Sequence, residues 1–202
     1  IVDSLVGSEM CIRDSGGTDA IVSTYFGNAQ DPMFSKDANG NPGCFMHRQA
    51  SFITSFWPEA AQGQAGVETT VFPFPSVDAS LPAAALGGGD MWAAFNDREA
   101  TKVVAEYLLS ADFHAPAAQM PNNARMSAHT GFDQSLYSND LYRVMGETIS
   151  AALSANSFRF DASDLMPPEV GGGSFWKEMM NLAVNGPGYI DEALANIDTS
   201  WP

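Results

Sequence analysis

Positive charge is scarce in this sequence. Nine lysines and arginines stand against 24 aspartates and glutamates, which gives a formal net charge of −15 at pH 7. So acidic a chain repels the phosphates of nucleic acids and the anionic head groups of membranes. We therefore expect neither nucleic acid nor an anionic membrane surface as a partner.

Long apolar runs and cysteines are also few. No stretch of about 18 apolar residues could span a bilayer, and no signal-peptide pattern is present. Only Cys11 and Cys44 occur, so at most one disulfide can form within the chain and a disulfide framework is excluded. Hydrophobic residues nevertheless make up 45% of the 202 residues, which is enough to bury a core.

The first fifteen residues differ from the rest of the chain. They show neither a helical or strand period nor a capping signal. The stretch Ser4–Ser15, SLVGSEMCIRDS, resembles a translated sequencing adaptor. We expect residues 1–15 to be an artefact and residues 16–202 to be native sequence cut from a longer chain, so that the missing signal peptide says nothing about localisation. A short native helix or strand is the alternative.

Apolar periodicity predicts strands first and helices afterwards. Short strands are expected at Cys44–Arg48 and Glu68–Phe74, with a short helix over Ala50–Trp57. Helices are expected after Asn96, from Leu141 to about Asn156, after Ser174 and from Ile190. A few strands with helices packed on them predict an α/β fold.

Finer features of these helices can also be predicted. Asn96 with Glu99 is typical of a capping box, and Ser174 is a second candidate cap. Asp112–Gly131 and Phe158–Gly173 lack a clear period and predict irregular connections. Trp201 continues the apolar face of the last helix, so we expect it in the core.

A glycine-rich turn is the first candidate for binding chemistry. Gly88 and Gly89 would let the backbone approach a ligand closely, and Asp90 can accept hydrogen bonds from hydroxyls. The pattern lacks GxxxxGK[ST], and Met91-Trp92 is expected to continue as a strand, so this is no phosphate loop. A tight connection between strands is the alternative.

Aromatic residues near polar ones are the second candidate. Sugars offer C–H faces that stack on rings and hydroxyls that bind polar side chains. Trp176 lies where a glycine-rich segment meets a helix, and Phe52 and Trp57 follow the polar residue Arg48. Core packing of the rings and an internal ion pair of Arg48 are the alternatives.

Metal and catalytic signals are weak. His47, His114 and His129 are separated in sequence and lack ligand neighbours, so neither a metal nor another cofactor is expected. Asp161, Asp164 and Glu169 could form an acid/base pair, but their crowding in one segment favours a solvated acidic loop. Neither GxSxG nor HExxH occurs, and we expect no enzymatic activity.

Several segments in a fixed order carry a family resemblance. They are CFMHRQASFITSFWPE (Cys44–Glu59), VFPFP (Val71–Pro75), GGGDMWAAFNDREATKVVAEYL (Gly87–Leu108) and RFDASDLMPPEVGGGSFWKEMMNLAVNG (Arg159–Gly186). Together they resemble the C-terminal half of alpha-glucoside-binding proteins, which belong to the extracellular solute-binding proteins of bacterial ABC transporters. These are similar to the maltose- and trehalose-binding proteins.

The resemblance implies an α/β, helix-rich fold of the periplasmic-binding-protein type II class. This fold is a two-lobed clamp, of which residues 16–202 would supply the C-terminal half with segments of both lobes. The resemblance places Gly88, Gly89 and Asp90 in a loop that faces ligand and gives Trp176 the position of a sugar-stacking tryptophan. Arg48 and Phe52 match a polar and aromatic patch, with Phe52 where many relatives have tryptophan.

The implied function is that of a receptor without catalytic activity. A periplasmic monomer would bind an alpha-linked glucoside or another oligosaccharide and present it to ABC-transporter permease subunits. With half of the cleft missing, we expect this chain to bind sugar weakly or not at all. A glycoside-processing enzyme and a receptor of the same fold for a polyamine or an oligopeptide are the alternatives.

Overall fold

A computed structural model describes residues 17–76, 78, 80–81 and 84–202. The adaptor-like head and Cys11 therefore lie outside the described residues. The chain divides into two units. Unit 1 contains residues up to Gln49, Phe56–Pro58 and Phe160–Pro202, and unit 2 contains Ala50–Ser55 and Glu59–Arg159.

Unit 1 is built from helices and short helical turns. Its α-helices are 17–23 (α1), Asp31–Phe34 (α2), Trp176–Asn185 (α7) and Ile190–Asp198 (α8). A π-helix covers Glu169–Phe175 and leads directly into α7. Short 3₁₀ turns lie at Phe26–Asn28, Ser163–Leu165 and Pro187–Tyr189.

The core of unit 1 lies between the π-helix, α7 and α8. Val170, Met179, Leu182 and Ile197 form one buried cluster, and Met166, Phe175 and Tyr189 pack against it. Met179 and Leu182 are three residues apart, which puts them on one face of α7. Gly186 ends α7 with φ = +78°, a conformation that favours glycine. The chain can therefore turn back sharply and lay α8 against α7.

Unit 2 contains the remaining helices and most of the small sheet. The α-helices are Glu59–Gln62 (α3), Glu99–Leu108 (α4), Ala111–Ala118 (α5) and Asp140–Ser154 (α6), with 3₁₀ turns at Ser51–Phe56 and Gln134–Leu136. Strand β1 (Ala85–Gly87) pairs with β2 (Phe158–Phe160), where the boundary between the units falls.

Helix α6 organises the interior of unit 2. The Asn139 side chain caps it by accepting a hydrogen bond from the Tyr142 N–H at 3.1 Å. Tyr142 is buried, and its hydroxyl donates to Thr54 Oγ1 at 3.3 Å, which ties the helix to the 3₁₀ turn at Ser51–Phe56. Gly146 faces the ring of Tyr137 so closely that any side chain there would clash. The glycine therefore sets the distance between α6 and the segment before it.

The predicted strands are wrong. Cys44–Arg48 and Glu68–Phe74 are irregular, and Met91-Trp92 does not continue as a strand. Within the described ranges the only sheet is β1–β2, beside isolated bridges at Lys36–Pro42 and Ala65–Thr69. A β-branched or aromatic run becomes a strand only when a partner satisfies its backbone groups, and Pro73 and Pro75 remove two donors. The expected α/β fold is therefore observed only in part: the described residues form a helix-rich chain with one small sheet.

The helix predictions are mostly confirmed, but their details need correction. Helices α4, α6, α7 and α8 lie where expected, whereas α5 falls inside the predicted irregular stretch Asp112–Gly131. Ser110 caps α5, and Pro116 lies inside this helix. The predicted caps Asn96 and Ser174 do not occupy the N-cap positions. Arg98 lies at the N-cap of α4 and Phe175 at that of α7. Trp201 follows the end of α8 and is 49% exposed, so its predicted place in the core is wrong.

Candidate functional site

The glycine-rich segment Gly88–Asp90 lies in unit 2, directly after β1, and is exposed; the structure assigns it no turn, contrary to the prediction. The Asp90 carboxylate forms an ion pair with Arg125, with 3.2 Å between Oδ2 and Nε. Both side chains are largely exposed, so water screens the pair and leaves both groups accessible to a ligand. A side chain at Gly89 would meet no atom within 4 Å. Packing against the described residues therefore does not require glycine there, and close approach of a ligand is one physical reason for it.

Arg125 is the partner that the sequence interpretation missed. Its backbone N–H donates to Asn123 Oδ1 at 3.1 Å, so a local turn holds it in place. The sequence offered one indirect signal for this pair. The chain has only nine lysines and arginines against 24 aspartates and glutamates, so each arginine is expected to pair with a carboxylate. Together Asp90 and Arg125 offer an acceptor and a planar set of donors on one surface.

Exposed apolar side chains follow the segment Gly88–Asp90. Trp92 is 61% exposed and Phe95 is 94% exposed, and Met91 also faces solvent. Single exposed rings are common, but three large apolar residues within five positions are typical of a surface that binds something. Unit 2 thus presents an acid and exposed rings in one short stretch of chain, and Arg125 reaches the acid from 35 positions further along.

Phe52 lies in the 3₁₀ turn Ser51–Phe56, and its ring is partly exposed. Arg48 lies in the irregular segment before it and is half-buried. The neighbouring His47 is also half-buried, and burial lowers its pKa, so its imidazole is neutral at pH 7. Trp57 is buried against Phe34, with 5.2 Å between the ring centroids, so the core alternative holds for this ring.

Trp176 begins α7 in unit 1. Its ring is 46% exposed and stands nearly perpendicular to Phe175, with 5.4 Å between centroids. Phe175 in turn packs against the buried cluster of unit 1. Trp176 therefore packs against Phe175, and about half of its surface stays accessible to a stacking partner.

The six predicted site residues fall in both units. Arg48 and Trp176 lie in unit 1, whereas Phe52, Gly88, Gly89 and Asp90 lie in unit 2. A separate open cleft of about 400 Å³ lies within unit 2. Its lining residues are neutral and include none of the six: Gln62, Gly63, Ala65, Gln119, Pro121, Leu136, Ser138 and Asn139.

Comparison with known proteins identifies relatives over almost the whole chain. The chain is 33% identical over 187 residues to the osmoprotective compounds-binding protein GgtB of Synechocystis sp. (strain ATCC 27184 / PCC 6803 / Kazusa), covering 93% of this chain and 41% of that protein. It is 31% identical over 188 residues to the alpha-glucosides-binding periplasmic protein AglE of Rhizobium meliloti (strain 1021), covering 92% and 38%. The chain is a homologue of bacterial solute-binding proteins.

The resemblance stated from the sequence is thereby confirmed at the level of this group. No family model and no solved structure matches the chain. The chain spans about two fifths of the length of the two curated relatives.

The acidic segment of this homologue has a structural use. Asp161 Oδ1 accepts hydrogen bonds from the Ser163 N–H at 2.9 Å and from the Ser163 hydroxyl at 2.7 Å, which closes the turn before Ser163–Leu165. An aspartate engaged in this way serves as a turn cap. The two curated relatives are binding proteins, which agrees with the expectation that the chain is no enzyme.

Metal-ligating side chains do not cluster in the part of the homologue that the structure describes, where no group of three suitable residues could hold an ion. Burial, and to a smaller extent the charge of His129, lowers the pKa of His114. None of the described helices is both long and apolar enough to cross a bilayer.

Proposed function

We propose that this chain belongs to a carbohydrate receptor whose complete form serves an ABC transporter. Its homology to two binding proteins over more than nine-tenths of its length carries the proposal. One of them is named for alpha-glucosides and the other for osmoprotective compounds. An alpha-linked glucoside, a compact polyhydroxylated solute, is the ligand we infer.

The exposed side chains support a sugar as ligand. Trp176, which packs against Phe175, offers a partly exposed ring for the C–H face of a pyranose, and Phe52 offers a second ring. Asp90 and Arg125 offer an acceptor and several donors for hydroxyls. These are the partners that a neutral ligand with one apolar face and a polar rim requires.

The complete receptor would be a two-lobed type II clamp in the periplasm, the location in the name of AglE. Sugar bound between the lobes would favour the closed form, because both lobes contact the ligand only when the hinge closes. The closed surface would then be recognised by the permease subunits. Arg48, Phe52, Gly88–Asp90 and Trp176 are the residues we assign to the ligand.

A second candidate is an osmoprotective solute that is not a glucoside. The name of GgtB favours it, since that relative is described by osmoprotective compounds in general. A small zwitterionic solute would also use aromatic rings and carboxylates, through cation–π contacts. Titration with both classes of solute decides between the two candidates.

The test is NMR titration of the 202-residue chain, which detects weak binding, with maltose, trehalose, glycine betaine and putrescine. We expect saturable shifts with an alpha-glucoside. Trp176→Ala should weaken binding by about 1–3 kcal/mol, roughly fivefold to 150-fold, because the stacking surface is removed.

Trp201→Ala is the matched control. Trp201 also lies in unit 1 and is 49% exposed, against 46% for Trp176, yet no role is assigned to it. Its replacement should leave the affinity unchanged. Equal affinities of the Trp176→Ala variant and the parent chain would remove Trp176 from the site, and a response to betaine alone would favour the second candidate.

A further inference from the structure

A cluster of three aromatic rings lies on unit 1, apart in sequence from Trp176. Tyr25, Phe26 and Phe56 contact one another, with ring centroids 4.5 Å, 5.4 Å and 6.3 Å apart. All three belong to unit 1, and all three are exposed, Tyr25 most at 57%. Tyr25 leaves more than half of its surface in solvent, although large rings usually bury most of theirs.

The backbone beneath the rings is adapted to hold them. A Cβ atom at Gly27 would lie 2.5 Å from Cδ1 of Phe56 and 2.7 Å from Cε1 of Tyr25. Such contacts are far below van der Waals distance, so a residue with a side chain would push the rings apart. The absence of a side chain at Gly27 thus lets Tyr25 and Phe56 close over the chain between them.

Polar groups border the same cluster. The buried Gln30 amide donates through Nε2 to the carbonyl oxygens of Gly27 and Phe56 and to Asp31 Oδ1, the last two at 3.2 Å. One donor therefore links the Asp31 carboxylate to the backbone of Phe56. Asn28 Nδ2 donates to the other carboxylate oxygen of Asp31 at 3.0 Å. A carboxylate has about four acceptor positions, so Asp31 keeps acceptor capacity for further hydroxyls.

Two groups in the cluster lack partners. The buried Oε1 atom of Gln30 accepts no hydrogen bond from the described residues, and such an orphan acceptor costs free energy. The hydroxyl of Tyr25 likewise makes no hydrogen bond within the described ranges. A ligand with hydroxyl groups would give the Tyr25 hydroxyl a partner, whereas the fully buried Gln30 lies out of a ligand's reach.

From this geometry we propose that Tyr25, Phe26 and Phe56, with Asp31, form a second carbohydrate-binding site. The rings are inclined to one another by 52–62°, so no two of them present a common plane. One pyranose stacks its C–H face on Tyr25, the most exposed ring, and its edge meets a neighbouring ring. Its hydroxyls bind Asp31 and the Tyr25 hydroxyl. The site takes a single sugar ring and lies wholly in unit 1.

The test is NMR titration of the 202-residue chain with methyl α-glucoside, comparing single-residue variants. We expect Tyr25→Ala to weaken binding at this site at least fivefold and to abolish the upfield ring-current shift of the sugar C–H protons. Tyr25→Phe should keep the ring-current shift, because the stacking face remains. Phe45→Ala is the matched control, since Phe45 is a 76% exposed ring of the same unit and lies outside the cluster.

This experiment distinguishes failure of the second site from failure of the proposed receptor site. Trp176→Ala should not alter the Tyr25-dependent signal, so loss of either signal alone identifies which proposal fails. Equal responses of the Tyr25→Ala and Phe45→Ala variants would overturn the second site, as would the absence of any sugar response in the Trp176→Ala background. Unchanged far- and near-ultraviolet circular dichroism of Tyr25→Ala establishes that the variant is folded.

Discussion

Helices α7 and α4 have similar apolar patterns but opposite surroundings. The apolar face of α7 is buried, with Met179 and Leu182 in the core cluster of unit 1. Helix α4 has no buried residue, and Val103, Val104 and Tyr107 are each 56% exposed. An amphipathic period therefore predicts that a helix forms and which face is apolar, but it does not predict what covers that face.

The difference follows from what lies next to each helix along the chain. Helix α7 has the π-helix before it and α8 after it, and both pack on its apolar face. Helix α4 is followed by α5, which contributes a ring contact between Phe113 and Tyr107 at 5.6 Å. One neighbour that touches the end of a helix leaves most of its face open.

The largest expected effect comes from truncating the covered face. Leu182→Ala should lower the free energy of unfolding by about 2–5 kcal/mol, because it leaves a cavity among packed residues. Leu109→Ala makes the same chemical change directly after α4, at a side chain that is 61% exposed, and should cost less than about 0.5 kcal/mol. Urea unfolding measures both variants. If both variants lost the same free energy of unfolding, α4 would be covered in solution, and the contrast between α4 and α7 would be wrong.

The same comparison explains how far sequence analysis can predict this chain. The period of apolar residues located α4, α6, α7 and α8 because helical hydrogen bonds are local. Strands depend on partners elsewhere, so Cys44–Arg48 and Glu68–Phe74 were predicted from composition and are irregular.

The candidate site shows a similar limit. Residue type indicated Asp90 and Trp176 as plausible ligand groups, and their exposure is compatible with that role. The ion pair with Arg125, 35 positions away, could not be predicted from local pattern. The rings of Tyr25 and Phe56 were also missed, because only the fold brings positions so far apart in sequence together.

A smaller effect is expected inside the π-helix that supports α7. A Cβ atom at Gly171 would lie 2.0 Å from the carbonyl oxygen of Ser163, so Gly171→Ala must displace the backbone. We expect a loss of about 1–3 kcal/mol in the free energy of unfolding. Gly172→Ala is the control, since a side chain there meets no atom within 4 Å. If both variants unfold at the same urea concentration, close packing of the π-helix does not set the stability of this region.

The smallest effect concerns the one carboxylate buried with α7. Glu178 accepts a hydrogen bond from the Tyr189 hydroxyl at 2.8 Å, and this bond is the main cause of its lowered pKa, with smaller contributions from Asn196, Asn181 and Lys177. The same contact raises the pKa of Tyr189. Because the folded state lowers the pKa of Glu178 below 4.5, its stabilising contribution is present above that pH and is lost as pH falls through the folded value.

Glu178→Gln should therefore reduce the acid-dependent part of the unfolding free energy while leaving the slope near pH 7 unchanged. Unfolding in urea at a series of pH values from 7 to 3 measures this, and the curves of variant and parent should converge at low pH. Glu106→Gln removes an exposed carboxylate from α4 and should not change how the unfolding free energy falls at acid pH. If the curves of Glu178→Gln and the parent run parallel, the carboxylate is solvated and the covered face of α7 is less closed than the structure indicates.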